Sequence, residues 1–263
     1  MAQYSAHRNE HFNTSNSDVH EVVMLADKDG NILNTSGSAS NIPIAAGLVD
    51  GYGHINKFGA SDGDITAGSV WDGNSGTTVY PYPANSVVAV ASGSNAGANV
   101  YIEGLDASYN AQSETVAIGA SGTKTFSRIF RAYMVDTNND ADVTISLSST
   151  VVAKIIEDNS QTLMAVYTVP AGKTGYLMKL QLGSDKASTN SAMQYSVMTN
   201  EITNGGIFRI KGRFYAAGGQ NVIVEYPVPI KINEKTDIRV DCIAAQAASV
   251  SATFDIILVD NNA

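Results

Sequence analysis

Short apolar runs separated by turn residues recur along this chain and leave few folds open to it. In the clearest example, residues 100–135, polar turns at 106–110 and 119–122 separate three apolar runs. The third run, at 127–135, is rich in aromatic and β-branched residues. Runs of this kind, bounded by Gly, Asn, Asp and Ser, are typical of antiparallel β-strands. No segment has the apolar stripe of an amphipathic helix, so the pattern predicts an all-β protein.

Strand candidates continue from residue 86 to the end of the chain. They are SVVAVAS, NVYIEGL, ETVAIG, FSRIFRAYMV, DVTISLSS, TLMAVYTV, GYLMKLQLG, MQYSVMT, GIFRIKGRFY, NVIVEYPVPI, DIRVDCIAA and ATFDIILVD. Strands that begin at intervals of about 8–12 residues favour a sandwich or a jelly roll. We therefore predict two antiparallel β-sandwich or jelly-roll-like units.

Composition divides the chain into three predicted parts. Residues 1–18 are polar and are predicted to be an extended N-terminal arm. Residues 19–155 are predicted to be a β-sandwich-like domain with a long irregular insertion at about 34–86, which is rich in Gly, Ser and Asp. Residues 156–263 are predicted to be the second β-sandwich or jelly-roll-like domain.

Two residue types constrain strands in the second half of the chain. Pro227 and Pro229 limit their strand to the edge or the end of a sheet, because proline cannot donate to the hydrogen-bond ladder. Cys242 is the only cysteine, so no disulfide can form within the chain. It is in phase with Ile238 and Val240 along a strand candidate, which predicts a buried structural thiol.

Charge and hydropathy argue against two classes of partner. The net charge is −9, and charged residues make up 16% of the chain against roughly 25% in average domains. A chain of this charge has no general attraction for phosphate backbones, and no run approaches the roughly 20 apolar residues of a membrane span. Neither nucleic acid nor a membrane is therefore a predicted partner. Two groups of bases alternate with apolar residues and are predicted to lie on polar strand faces: Lys124, Arg128 and Arg131, and Arg209, Lys211 and Arg213.

The residue patterns of common enzymes are absent from the sequence. There is no G-x-S-x-G nucleophile motif, and the letters GKT at 172–174 lack the upstream glycine of a phosphate loop. His7 and His11 have the spacing of two helical metal ligands, but their polar flanks predict a solvated arm. The segments 27–31 and 136–142 are predicted to be polar turns, because neither, counted from its first residue, has the Gly at position six and the Glu at position twelve of a calcium loop. Adventitious calcium at 136–142 is left open. We predict no enzymatic activity, no catalytic residues, no cofactor and no resident metal.

Large side chains in sequence of low strand propensity are candidates for contact with a partner protein. They are Tyr4, His7, Arg8 and Phe12 in the arm, and Trp71, Tyr80 and Tyr82 in the irregular insertion. A long loop inside a compact domain is often functional or held by a partner. Two alternatives stand beside this prediction. The aromatic residues of the insertion could pin it to the core or a neighbour, or they could stack on sugars.

Several motifs, in order, resemble those of a family of tailed-bacteriophage virion structural proteins of the head-decoration or neck type. In the first half they are INKFG (55–59), VWDG (70–73), IEGLDASYNAQSETVAI (102–118) and RAYMV (131–135). In the second half they are YTVPAGKTGYL (167–177), PIKINEKTDIRV (229–240) and SATFDIILVDN (251–261). The similarity runs from about residue 52 to the end of the chain. It implies a β-sandwich or jelly-roll fold, homo-oligomers and no enzymatic activity.

The resemblance and the composition together lead to one functional prediction and two alternatives. We expect a capsid decoration or cement protein that stabilises the head lattice, with a homotrimer favoured and the major capsid protein or other virion proteins as partners. Its expected location is the virion, assembled in the cytoplasm of the host bacterium, where unpaired cysteine is usual. The alternatives are a tail, collar or fibre component and a carbohydrate-binding module for host recognition.

Overall fold

The computed structural model describes residues 25–26, 32–33, 41–83, 87–186, 192–217 and 219–262. The described part is nearly all β, with antiparallel strand pairing, and this confirms the predicted fold class. The chain divides into two compact units, Met1–Gly53 and His54–Ala263. The described elements within the first unit are strands β1 (Leu25–Ala26) and β2 (Ile32–Leu33), which pair with each other, and the short helix α1 (Asn41–Ala45). No helix in the described part of the chain is long and apolar enough to span a membrane.

The strands of the larger unit surround two hydrophobic cores. Those of the first core are β5 (Val87–Ser92), β6 (Asn99–Leu105), β7 (Ala111–Ala117), β8 (Ser121–Phe126), β9 (Arg128–Val135), β10 (Val143–Leu147) and β11 (Thr150–Ile155). Those of the second are β3 (Tyr52–Ala60), β4 (Ile65–Ser69), β12 (Val166–Thr168), β13 (Lys173–Ser184), β14 (Ala192–Glu201), β15 (Phe208–Ala217), β16 (Val222–Ile232), β17 (Thr236–Ala248) and β18 (Val250–Asp260). The strands of the first core thus lie, in the sequence, between β4 and β12.

Each core is built from two sheets. The first core uses the sheets β11-β10-β5-β8 and β7-β6-β9. The second uses β12-β17-β14-β15, to which β4 adds through β17, and β16-β13-β18-β3. Buried and partly exposed residues alternate along β10 and β18, because successive side chains of a strand point to opposite faces of its sheet. The predicted boundary between residues 155 and 156 stays a prediction.

The edge position of β16 confirms the prediction from its prolines. β16 is the outer strand of its sheet, and Pro227 and Pro229 lie where the register with β13 shifts. Leu177 pairs with Ile230 on one side of the shift, whereas residue 179 pairs with residue 225 on the other. A bulge at a sheet edge leaves room for prolines that cannot donate to the ladder.

Cys242 is fully buried in the second core, as predicted. It lies on β17 in the same core as Ile238 and Val240. Burial raises the pKa of its thiol to about 12, so the reactive thiolate is scarce near neutral pH. The residue packs as a small apolar side chain.

Two strands lie within the range 34–86, which was predicted to be irregular. β3 carries Lys57 and Gly59 at buried positions, so the usual apolar alternation is missing from its sequence. A Cβ on Gly59 would come within 2.2 Å of the Ala165 backbone nitrogen. Glycine is therefore required where these two chain segments approach closely. Because glycine does not count as an apolar residue, the apolar pattern of the sequence does not reveal the strand.

Candidate functional site

The predicted contact residues of the arm lie outside the described part of the chain. These are Tyr4, His7, Arg8 and Phe12. Their role in binding a partner stays a prediction. The solvated arm predicted around His7 and His11 and the polar turn predicted at 27–31 also lie outside the described residues and stay predictions.

Trp71 and Tyr80 lie inside the first core and not on a surface. Each is 2% exposed, and their rings meet edge to face at 5.1 Å between centroids. The Tyr80 hydroxyl donates to the Ile129 carbonyl at 2.7 Å. Tyr82 is half-buried and contacts Tyr80 at 4.8 Å. This burial favours the alternative that the aromatic residues pin their segment to the core, and it removes the exposed platform that sugar stacking needs.

The row of aromatic rings continues from Tyr82 to the start of β15. The Tyr82 ring lies 5.2 Å from that of Phe208, and the guanidinium of Arg239 lies 3.9 Å from the centre of the Phe208 ring. Arg128 stacks on Tyr82 at 5.2 Å. Arginine over an aromatic face is favourable, particularly where water is excluded. The row therefore ties the first core to the strands of the second.

A buried ion pair lies beside this row and also joins the two cores. The Arg128 guanidinium on β9 meets the Asp237 carboxylate on β17 through two bonds of 2.8 and 3.0 Å. Asp237 is 0% exposed and accepts further bonds from Thr168 at 2.7 Å and Asn200 at 3.3 Å. A buried pair needs hydrogen bonds of this kind to offset the loss of water.

The prediction that Arg128 lies on a polar strand face is wrong, whereas Lys124 and Arg131 are exposed as predicted. The prediction treated β9 as a regular strand. A register shift between Glu103 and Gly104 of the neighbouring β6 breaks this regularity, and Asp237 covers the arginine. Neither the bulge nor the distant carboxylate has a local sequence signal.

The outer strands β15 and β16 carry a concentration of exposed apolar side chains. We define the β15–β16 edge as residues 207–217 and 222–228. Each strand is the outermost of its sheet, and the edge holds five of the ten large apolar side chains that are exposed among the described residues. They are Ile207, Ile210, Tyr215, Ile223 and Val228, of which Val228 is 82% exposed. Outer strands also present unpaired backbone groups that can bind another strand.

Three basic side chains are interspersed with these apolar ones on β15. Arg209, Lys211 and Arg213 are all exposed and form no ion pair with any described residue. The one acidic residue of the edge, Glu225, lies 3.3 Å from Lys179 of β13. The edge is thus a basic, apolar strip on an acidic chain. Its alternation and the adjacent prolines were visible in the sequence, but the exposure of three consecutive residues, 209–211, was not.

No metal site is formed by the described residues: no three His, Cys, Asp or Glu side chains cluster as ligands there. In the loop 136–142, the Asn139 amide donates to the Ala141 and Ile156 carbonyls at 2.9 Å each. Asp142 lies 2.7 Å from Lys154. These polar side chains are engaged within the chain, as expected of a polar turn.

Comparison with known proteins gives little help. No family model matches the chain, and no curated protein matches it. Among solved structures, the chain is similar at 11% identity and a TM-score of 0.23 to one described as the structure of infectious bursal disease virus Gt strain, covering 92% of this chain and 64% of that one. A structure of the Gx strain of the same virus gives 11% identity and a TM-score of 0.20, covering 78% of this chain and 59% of that one. The chain thus spans less than two thirds of either, and similarity at this level carries no argument about fold or function.

Proposed function

We propose that this protein is a structural component of a bacteriophage virion, a decoration or cement protein that stabilises the head lattice. The β15–β16 edge carries the proposal. Arginine, tyrosine and apolar side chains are enriched at protein interfaces. This edge displays them together, and its three bases form no ion pair with any described residue. The resemblance of seven motifs to tailed-phage virion proteins supports the same reading.

The charge of the edge bears on how copies of the chain associate. In the register centred on Lys211, antiparallel pairing of β15 with the same strand of a second copy would place Arg209 opposite Arg213. Like charges directly opposite each other destabilise a strand pair. A heterologous contact, in which β15 meets a different and more acidic surface, avoids this repulsion. Heterologous contacts that close form rings, which is consistent with the favoured trimer.

The proposed mechanism is thermodynamic linkage. A subunit that binds the assembled shell but not free shell protein shifts the equilibrium towards assembly. The buried Arg128–Asp237 pair and the aromatic row suit this role, because a rigid subunit loses little freedom on binding.

The test is the copy number of the chain in purified particles, measured by quantitative mass spectrometry against the major capsid protein. We expect a ratio near one to one, or one copy per few shell subunits. Particles that lack the protein are expected to lose resistance to heat and osmotic shock. About a dozen copies or fewer per particle would move the protein to the tail, collar or fibre. Absence from particles would overturn the virion role altogether.

A further inference from the structure

A cavity separate from the β15–β16 edge opens between β3 and β9. Its volume is about 330 Å³, within the range of about 300–1,000 Å³ that holds small ligands. The lining residues are His54, Asn56, Lys57, Phe58, Arg131 and Thr162. Lys57 is only 7% exposed, which is unusual because lysine is seldom buried without a charged partner.

The cavity is lined by hydrogen-bond donors that the chain does not use fully. The Lys57 ammonium has three protons, and its hydrogen bond to the protein is to the Phe130 carbonyl. The Thr162 hydroxyl accepts from the Ala132 amide at 3.0 Å, so its own proton is free to donate elsewhere. Arg131 adds a guanidinium whose side chain is 46% exposed.

The acidic groups nearby leave Lys57 without a direct counter-charge. Glu103 lies 3.7 Å from Arg131, and Asp255 accepts from Asn56 and contacts His54. Burial raises the pKa of the Asp72 carboxyl well above its usual range. No ion pair to Lys57 occurs among the described residues.

We propose that this cavity binds a small oxyanion, a carboxylate or a phosphate group on a compact organic molecule. Lys57 and Arg131 are its charged contacts, Thr162 donates a hydroxyl bond, and Phe58 provides an apolar wall. An anion held here supplies the counter-charge that Lys57 lacks and offsets the cost of burying the ammonium.

Binding is expected to depend on pH through Lys57. Burial, with a smaller effect of Arg131, lowers the pKa of the Lys57 ammonium to about 7 in the free protein. Glu103 and Asp72 oppose this shift, and His54 shares the cavity wall. An anion favours the protonated lysine, so affinity should fall as the pH rises above about 7 and the free protein loses that proton.

The test uses the purified whole chain, titrated with inorganic phosphate, acetate or benzoate against chloride at constant ionic strength. Binding is followed by the thermal midpoint and by the NMR shift of the Lys57 Cε. We expect at least one oxyanion to bind and to weaken at least ten-fold in Lys57→Met and in Arg131→Gln. Lys179→Met, which changes a lysine outside the cavity, should bind like the wild type.

Comparing the affinity for inorganic phosphate with that for acetate and benzoate shows whether the cavity prefers a phosphate or a carboxylate. Arg131→Gln changes a half-exposed side chain, so it keeps the test decisive if Lys57→Met fails to fold. The proposal is overturned if no oxyanion binds more tightly than chloride, or if Arg131→Gln and every folded Lys57 variant retain full affinity.

Discussion

The contact between Arg128 and Asp237 shows how one charge pair can hold two cores together. Both side chains are at most 9% exposed, and two further polar groups bond to the carboxylate. In so dry a site the pair is stable only while both partners are present, because either charge alone would be buried without compensation. The arginine also stacks on Tyr82, so one residue links the ion pair to the aromatic row.

Asp237→Asn should therefore destabilise the protein by about 3–5 kcal/mol, the usual cost of leaving one partner of a buried pair unpaired. The matched control is Glu225→Gln, since Glu225 pairs with Lys179 but its side chain is 72% exposed. That change should cost less than about 1 kcal/mol. Urea unfolding followed by circular dichroism measures both. Equal losses in the two variants would show that the buried pair contributes no more than a surface one.

Among the strands, β3 differs most from what its sequence suggests. Strands such as β10 and β18 were predictable, because their apolar residues alternate and face one core. β3 buries a lysine and a glycine instead, and the reasons for both lie in distant segments of the chain. Gly59 meets the backbone at Ala165, and Lys57 meets a cavity wall formed in part by β9. Local patterns predict strands whose apolar residues alternate. They do not predict contacts between segments that are distant in the sequence.

Gly59→Ala tests the close approach of β3 to the segment around Ala165. The new methyl group would overlap the Ala165 backbone nitrogen, so part of the sheet must shift, at a cost of about 1–3 kcal/mol. Gly53→Ala is the control within the same strand, because a Cβ there has no neighbour within 4 Å. Differential scanning calorimetry should show a clear fall in the midpoint for the first variant and little change for the second. Similar midpoints would mean that the segment yields without cost.

At the level of the entire protein, charge is distributed unevenly between one edge and the remainder. The chain carries a net charge of −9, yet β15 exposes three bases and no acid. An acidic molecule with a basic strip can orient a partner that presents an acidic surface, because opposite potentials steer the encounter and suppress wrong contacts. The candidate site could be predicted from the sequence only as an alternating strand. The exposure of three consecutive residues of β15, 209–211, coincides with a register shift between β14 and β15, which local patterns do not reveal.

Reversing two charges of the strip should disrupt association. Arg209→Glu/Arg213→Glu is expected to weaken self-association and binding to particles at least ten-fold, equivalent to about 1.4 kcal/mol. Lys124→Glu/Lys231→Glu makes the same change in charge at exposed positions outside the β15–β16 edge. Sedimentation velocity and co-sedimentation with particles measure the two effects. If both double variants lose association to the same extent, net charge and not the edge governs assembly.

The order of strands in the sequence has a consequence for synthesis. β3 lies beside β18 in its sheet, and the Asn56–Asp255 contact between them joins residues 199 positions apart. At about 5–20 residues per second on the ribosome, β3 waits about 10–40 seconds for its neighbour. The first core, whose strands are contiguous in the sequence, can close during that interval. The second core closes only after β18 has emerged, so a nascent or truncated chain does not complete the sandwich that carries the β15–β16 edge. The sheet that contains β16 is thus complete only after β18 has been synthesised.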